Sequence, residues 1–363
     1  MKKFKLSTPV RYAINLTLTV LLWVVISAII SGAGLKGEYI RGIVITIGIN
    51  IILATSLNIV CGYLGQLPLG HAGFMAVGAY AGAIFMKATP AAQLLRAGNN
   101  AAVIPYFIIA VVIAAVVAGL FGLLIGIPAL RLKGDYLAII TLGFGEIIRV
   151  VLTNIDSVLG FKFTYGASGL ARIPKFTSLN VIYIMTALCL FLIHVFMKSR
   201  HGRAVLSIRD NEIAAESVGI NTTFYKTAAF VFSAMLAGIA GCLYAGYLGS
   251  LYPSTFKFMK SIEILVMVVL GGMGSMLGSV ISAIVLTALP ELLRSFSDYR
   301  MVVYSLALVL MMLFRPKGLM GTYDFSMGNS IEHIVNRIRG GKKKAKKKKT
   351  GSADESGAKG VQE

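Results

Sequence analysis

Residues 42–86 run for 45 positions without an Asp, Glu, Lys or Arg. A soluble domain has no use for such a run. A bilayer does, because lipid offers the backbone no hydrogen-bond partner, and about 20 apolar residues in a helix cross its hydrocarbon core. This run is long enough for two crossings. Its middle reads CGYLGQLPLGHAG (61–73), a Gly- and Pro-containing break with Gln66 and His71 at membrane depth.

Further charge-free runs cover 12–35, 97–130, 176–197, 227–256, 264–290 and 301–314. With 363 residues, 56% of them hydrophobic, and a mean hydropathy of +0.79, the chain reads as a polytopic membrane protein. The basic start MKKFKLSTPVR precedes an apolar segment with no A-x-A cleavage signal, so a retained first span is expected. Cys61, Cys189 and Cys242 lie in or beside apolar runs at spacings that fit neither zinc nor disulfides.

The net charge of +20 is unevenly placed. GKKKAKKKKT (341–350) reads as a solvated tail near anionic headgroups on the cytoplasmic side. No aromatic or folded module accompanies it, so no nucleic-acid partner is expected. Upstream, Ile331, Ile334, Val335 and Ile338 have the spacing of a short helix lying on the membrane surface.

Counting spans from a cytoplasmic N-terminus places crossings near 12–31, 40–60, 68–87, 103–129, 136–153, 179–197 and 226–248. One more crossing over 262–293, then the last near 301–314, would leave the Lys-rich tail outside. LGGMGSMLG (270–278) resolves this: its four glycines would break the stretch into two short helices with both ends outside. The expectation is an all-α polytopic membrane protein of about 9–10 transmembrane or re-entrant helices. Residues 1–11 and the mostly disordered tail 322–363 would lie in the cytoplasm, flanking a membrane domain over 12–321.

Paired broken helices can build a mid-membrane transport site, although glycines also serve simple close packing. The first break offers Gly65, Gln66, Pro68, Gly70 and His71; the second offers Gly271, Gly272 and Gly274. Pro68 removes a backbone donor and disfavours helix at Leu67, freeing carbonyls that could replace a solute's hydration. Gln66 and His71 either line such a path or only bond neighbouring helices. Glu146 and Arg149, at i and i+3, either form a structural ion pair or belong to the path. Asn50 and Asn58 read as interhelical hydrogen-bond formers.

The loop over 199–225 is the longest charged segment between spans. Asn211 can cap a helix there, Glu212 lies in its first turn and Gly219 can stop it. It suits either a plain connector or a helix that docks into a soluble partner. Ala214, Ala215 and Gly219 resemble the EAA loop of bacterial ABC importer permeases, although Ile213 stands where the family has Glu.

GYLGQLPLGHAGFMAVGAY (62–80), GDYLAIITLGFGEIIRVVLTN (134–154), GRAVLSIRDNEIAAESVGIN (202–221), VLGGMGSMLGSVISA (269–283) and RPKGLMG (315–321) follow in order. Together they resemble the branched-chain amino acid ABC permease family, its LivM-like subunit more than its LivH-like sister, over roughly 40–321. The resemblance implies a permease subunit in a prokaryotic plasma membrane with both termini cytoplasmic. Its implied partners are a sister permease, two ATP-binding subunits and an extracytoplasmic solute-binding protein. It also implies that Arg203, Arg209, Glu212, Ala214, Ala215 and Gly219 belong to the ATPase coupling loop. No P-loop motif is present, so hydrolysis would reside in the partner subunits. No metal cluster, catalytic constellation or cofactor is expected. Related permeases carry urea, amides, nucleosides or sugars, which leaves the substrate open. A stand-alone ion-coupled transporter would need Glu146 as its proton relay.

Overall fold

The computed structural model describes residues 37–296, except 98, 99, 133 and 161–163, together with isolated positions on either side. The expected segments 1–11 and 322–363 lie outside the described residues, and the spans at 12–31 and 301–314 do so for the most part. Chain contacts group 33–323 into one compact unit and the two ends, 1–32 with 324–363, into another. Every helix below belongs to the first.

Among the described residues the regular elements are all helices, with one isolated antiparallel bridge between Leu170 and Leu251. The helices are α1 (Gly37–Asn58), α2 (His71–Ala88), α3 (Ala91–Arg96), α4 (Asn100–Ala129) and α5 (Asp135–Leu159). They continue as α6 (Leu179–Lys198), α7 (Arg200–Asp210), α8 (Glu212–Ser217), α9 (Thr222–Leu248), α10 (Phe258–Gly271) and α11 (Met276–Leu292). Five of them are long and apolar enough to cross a membrane: α1 with its π-helical extension Ile59–Tyr63, α4, α5, α6 and α9. This is a multi-pass membrane protein.

Local chemistry sets many of the helix ends. Ser178, Ser199, Asn211, Asn221 and Ser275 each accept a hydrogen bond from a first-turn N–H, so five helices start on a side-chain cap. The apolar runs between these caps have nowhere else to satisfy their backbones in lipid.

α9 is the central helix. It lies parallel to α2, with Gly78 beside Gly238 and Gly82 beside Cys242. It lies antiparallel to α4, with Gly126 beside Phe230 and Gly122 beside Ala234. A Cβ on Gly78 would overlap the backbone of Gly238, so these helices approach more closely than any side chain permits. The apolar windows of α1 and α9 are 78% and 67% buried, against 17% for α5 and 22% for α6. The first two are core; the last two turn most of their surface outward.

α11 runs antiparallel along α1. Asn58 meets Ser275, Asn50 donates to Thr287 at 2.9 Å, and Tyr39 donates to Glu291. The loop over 199–221 marks one end of the bundle, where α1, α4 and α6 finish and α9 begins.

Candidate functional site

The chain leaves α1 through the π-helical turn Ile59–Tyr63. Leu64 donates to Ile59 and Gln66 donates to Val60, at 3.1 and 3.0 Å. The strand of chain that follows then folds back into the bundle. His71, the first residue of α2, is buried with Nε2 2.9 Å from Ser56 Oγ. Ser56 lies seven residues before Tyr63, so α2 starts roughly 10 Å inside the loop end at 1.5 Å per helical residue. Pro68 and Gly70 are buried along the way, whereas Gly65 and Leu67 are exposed and Gln66 is half-buried.

Neighbouring helices satisfy this inward segment. Thr141 of α5 accepts from the Leu69 N–H at 3.0 Å, and Ser261 of α10 accepts from the Ala72 N–H at 3.1 Å. Gly70 packs on the Thr141 carbonyl so closely that a Cβ would collide with it. Gln66 Oε1 is buried without a hydrogen-bond partner, the one such side-chain atom among the described residues. An unpaired amide oxygen in an apolar surround is costly, so it is the group in the break most available to something that enters.

The second break is the turn Gly272–Ser275 between α10 and α11. Gly272 and Gly274 have φ of 105° and 88° there, a region that favours glycine. The turn lies against the first break. A Cβ on Gly62 would overlap the Gly274 backbone, and Asn58 bonds both Gly274 N–H and the Ser275 carbonyl, at 2.9 and 3.1 Å. From the C-terminal side, Leu319 N–H donates to the Leu270 carbonyl at 2.8 Å, and Gly318 packs on Gly271 and Gly272. Three of the sequence motifs therefore meet at one place. That place is the loop end, and from it α11 runs along the length of α1 to Tyr39.

α10 itself starts partway along α5. Its first amide, Phe258 N–H, donates to Glu146 Oε1 at 3.1 Å, while Glu146 Oε2 holds Arg149 Nε at 2.6 Å. A carboxylate at a helix N-terminus is favourable both as an acceptor and against the helix dipole. Both oxygens of Glu146 are thus engaged in fixing α5 to the start of α10.

The loop folds into two helices. Asn211 caps α8, and Gly219, at φ 86°, ends it. The Gly219 N–H bonds Glu216 and the Ile220 N–H bonds Ala215, the paired bonds of a Schellman stop. α8 is pinned to the base of α9 by Lys226–Glu212 at 2.6 Å and Thr222–Glu216 at 2.7 Å. Ala215 is buried beneath α8, and Ala214 is exposed above it. Ile213 and Val218 stand out at 80% and 76% exposure. Arg203 lies on the exposed side of α7, with Nη1 on the Lys198 carbonyl at 2.9 Å. Arg209 turns the other way and donates to the Gly62 carbonyl of the first break at 3.1 Å.

The sequence reading missed Ser56, Thr141 and Ser261. Their signal was present as single hydroxyls inside charge-free spans. It also placed Arg209 only in the loop, with nothing to show that it reaches a break.

The model of the family described as branched-chain amino acid transport system, permease component, matches residues 39–314. The chain belongs to that family. The matched residues take in α1 from Tyr39 onward, the helices through α11, both breaks and the loop. Among curated relatives, the high-affinity branched-chain amino acid transport system permease protein LivM of Escherichia coli is 36% identical over 314 aligned residues, covering 75% of this chain and 68% of that one. LivH of Salmonella typhimurium is 26% identical, covering 74% and 90%. A probable LivM of Methanocaldococcus jannaschii is 22% identical, covering 78% and 93%. No solved structure matches. The family and these relatives are described as permease components of a transport system.

Proposed function

We propose that this chain is the LivM-like permease subunit of an ATP-driven importer of branched-chain amino acids in a prokaryotic plasma membrane. Its termini lie in the cytoplasm. A LivH-like sister forms the other half of the path, two separate ATP-binding subunits supply the energy, and an extracytoplasmic binding protein delivers the solute. The substrate class rests on the printed functions of the LivM and LivH relatives.

The observation that carries the ATP-driven part is α8. A short, doubly capped helix is braced on α9 and presents Ile213 and Val218 to the outside beside exposed Phe224. An apolar tip of this kind at the end of a membrane bundle fits a cleft on a soluble partner. Glu146 favours this reading over a stand-alone proton-coupled carrier, because both its oxygens already serve the bundle.

The substrate path follows the junction of the breaks, from Glu146 and Arg149 past His71 and Gln66 to Gly65 and Gly274. Residues Gly65, Gln66, Pro68, Gly70, Gly271 and Gly272 shape it with backbone instead of side chain. Co-expression with the candidate partner subunits, purification through a tag on this chain and reconstitution in vesicles test the proposal. ATP-dependent leucine uptake that requires the binding protein is expected. Uptake driven by an ion gradient with no ATPase bound would overturn the reading.

A further inference from the structure

Arg209 sits in the loop but its guanidinium belongs to the breaks. Nη1 donates to the Gly62 carbonyl at 3.1 Å. Its side-chain stem lies against Gly65, where an added Cβ would come within 3.0 Å of Cγ, and Nη1 would lie 3.3 Å from a Cβ on Gly274. Nε and Nη2 both donate to Asp210 Oδ1, at 3.3 and 3.1 Å, which fixes the plane of the fork. The Gly62 carbonyl is one of the last in its helix, where no further turn supplies an N–H. A guanidinium there gives a charge-assisted bond and the favourable sign against the helix dipole.

The loop therefore has two different anchorages. α8 is held to α9 by Lys226–Glu212 and Thr222–Glu216. α7 is held to the break junction through Arg209, where Gly62 and Gly274 are in backbone contact and Asn58 bridges them. Movement of α8 against α9 is displacement at one anchorage. α7 and α9 also pack on the turn Ile59–Tyr63, but the hydrogen bond from the loop to the first break is Arg209's, and the second break is bonded to the first through Asn58.

We propose that Arg209 is the positioning residue that converts movement of the 199–221 loop into movement of both helix breaks together. This rests on the proposed importer reading. The test uses the full complex of this chain with its partner subunits in vesicles, and compares Arg209→Met, Arg209→Gln and Arg209→Lys. Each is measured for complex recovery, ATP hydrolysis, and leucine uptake. A Leu67→Cys reporter at the exposed edge of the first break is labelled in the presence and absence of nucleotide.

Arg209→Met and Arg209→Gln keep the stem on Gly65 but cannot reach Gly62 with a charge. Both should assemble and hydrolyse ATP, yet lose at least about tenfold in uptake per ATP, the worth of one charge-assisted hydrogen bond. Labelling at Leu67→Cys should stop responding to nucleotide. Arg209→Lys restores a donor to Gly62 and should recover most of the coupling. Normal uptake per ATP in the Met and Gln variants would overturn the proposal. So would failure of both to accumulate beside a normal Lys variant, since Arg209 would then be a folding residue. A wild-type chain that binds no ATPase would sink the importer reading itself, a result separable from either of these.

Discussion

Asn58 in α1 and Gly274 in the turn before α11 are 216 residues apart in sequence, and the side-chain oxygen of one accepts the backbone N–H of the other at 2.9 Å. The same amide donates to the Ser275 carbonyl. One residue thereby bonds two backbone groups of the turn, and for the Gly274 N–H it stands in for a helical carbonyl. Asn58→Leu leaves the Gly274 N–H buried and unpaired, at about 1–3 kcal/mol, while the Ser275 carbonyl keeps the Ser279 N–H. Unfolding in mixed micelles should show that loss. Asn58→Asp keeps the acceptor for Gly274 and should lie between Leu and wild type in protein held at high pH. Equal stability of the Leu variant and wild type would mean that water reaches this turn.

Gln66→Leu should do the opposite. Its Oε1 has no partner, so its removal should leave stability unchanged or slightly raised. If that oxygen meets the solute during passage, uptake falls about ten- to a hundred-fold, the worth of a hydrogen bond to a charged group. Thermal unfolding and vesicle uptake measured on one preparation separate these effects. Unaltered uptake would remove Gln66 from the path.

Gly82→Ala would bring a Cβ to 2.5 Å from Cys242 Sγ and 3.1 Å from its Cβ. The overlap should destabilise by about 1–3 kcal/mol. Cys242→Ala removes the sulfur, so the double variant should recover much of that loss. A coupling energy near zero in the double-mutant cycle would show that α2 and α9 separate easily here.

Glu212→Ala should strip the counter-charge from Lys226, whose side chain is 7% exposed. Glu212 is 31% exposed, so the cost should fall below the roughly 3–5 kcal/mol of a fully buried broken pair. The double variant Glu212→Ala with Lys226→Met removes the stranded cation and should regain stability. Limited proteolysis in the loop reads the result directly: cleavage should rise in the single variant and fall back in the double.

Ile213→Asp should leave insertion and stability intact, because the side chain touches solvent on nearly every side. It should weaken recovery of the ATP-binding subunits by at least about tenfold, the scale of an interface anchor lost. Ala215→Arg is a different experiment, since Ala215 is buried under α8 and the change disrupts the loop before any partner arrives. Full recovery of the ATPase with Ile213→Asp would place the contact elsewhere.

Much of the architecture was readable from charge alone. Lipid forbids an unpaired backbone, so each long uncharged run had to be a helix, and α1, α4, α6 and α9 lie where those runs are. Asn211 and Gly219 announced the ends of α8 because capping is local chemistry, decided within three residues. The breaks were visible for the same reason, in Pro68 and in the glycines of 271–274. Their meeting was not visible. The Gly62–Gly274 contact and the reach of Arg209 to Gly62 join residues 212 and 147 positions apart, and no periodicity encodes such distances. A cation in a loop reads as solvated whichever way it points. The start of α10 partway along α5 was hidden too, because Glu146 supplies its N-terminal acceptor from another helix.

The contrast between α9 and α5 sets what each will accept in a library of variants. Where Gly238 and Gly241 press on neighbouring backbone, size is the criterion, and even alanine should be rejected. On α5, where Ile139, Ile147 and Val151 look outward, size should hardly matter and only a charge should be refused. Two helices of similar length and similar greasiness would thus drift under opposite rules, one counting atoms and the other counting polarity.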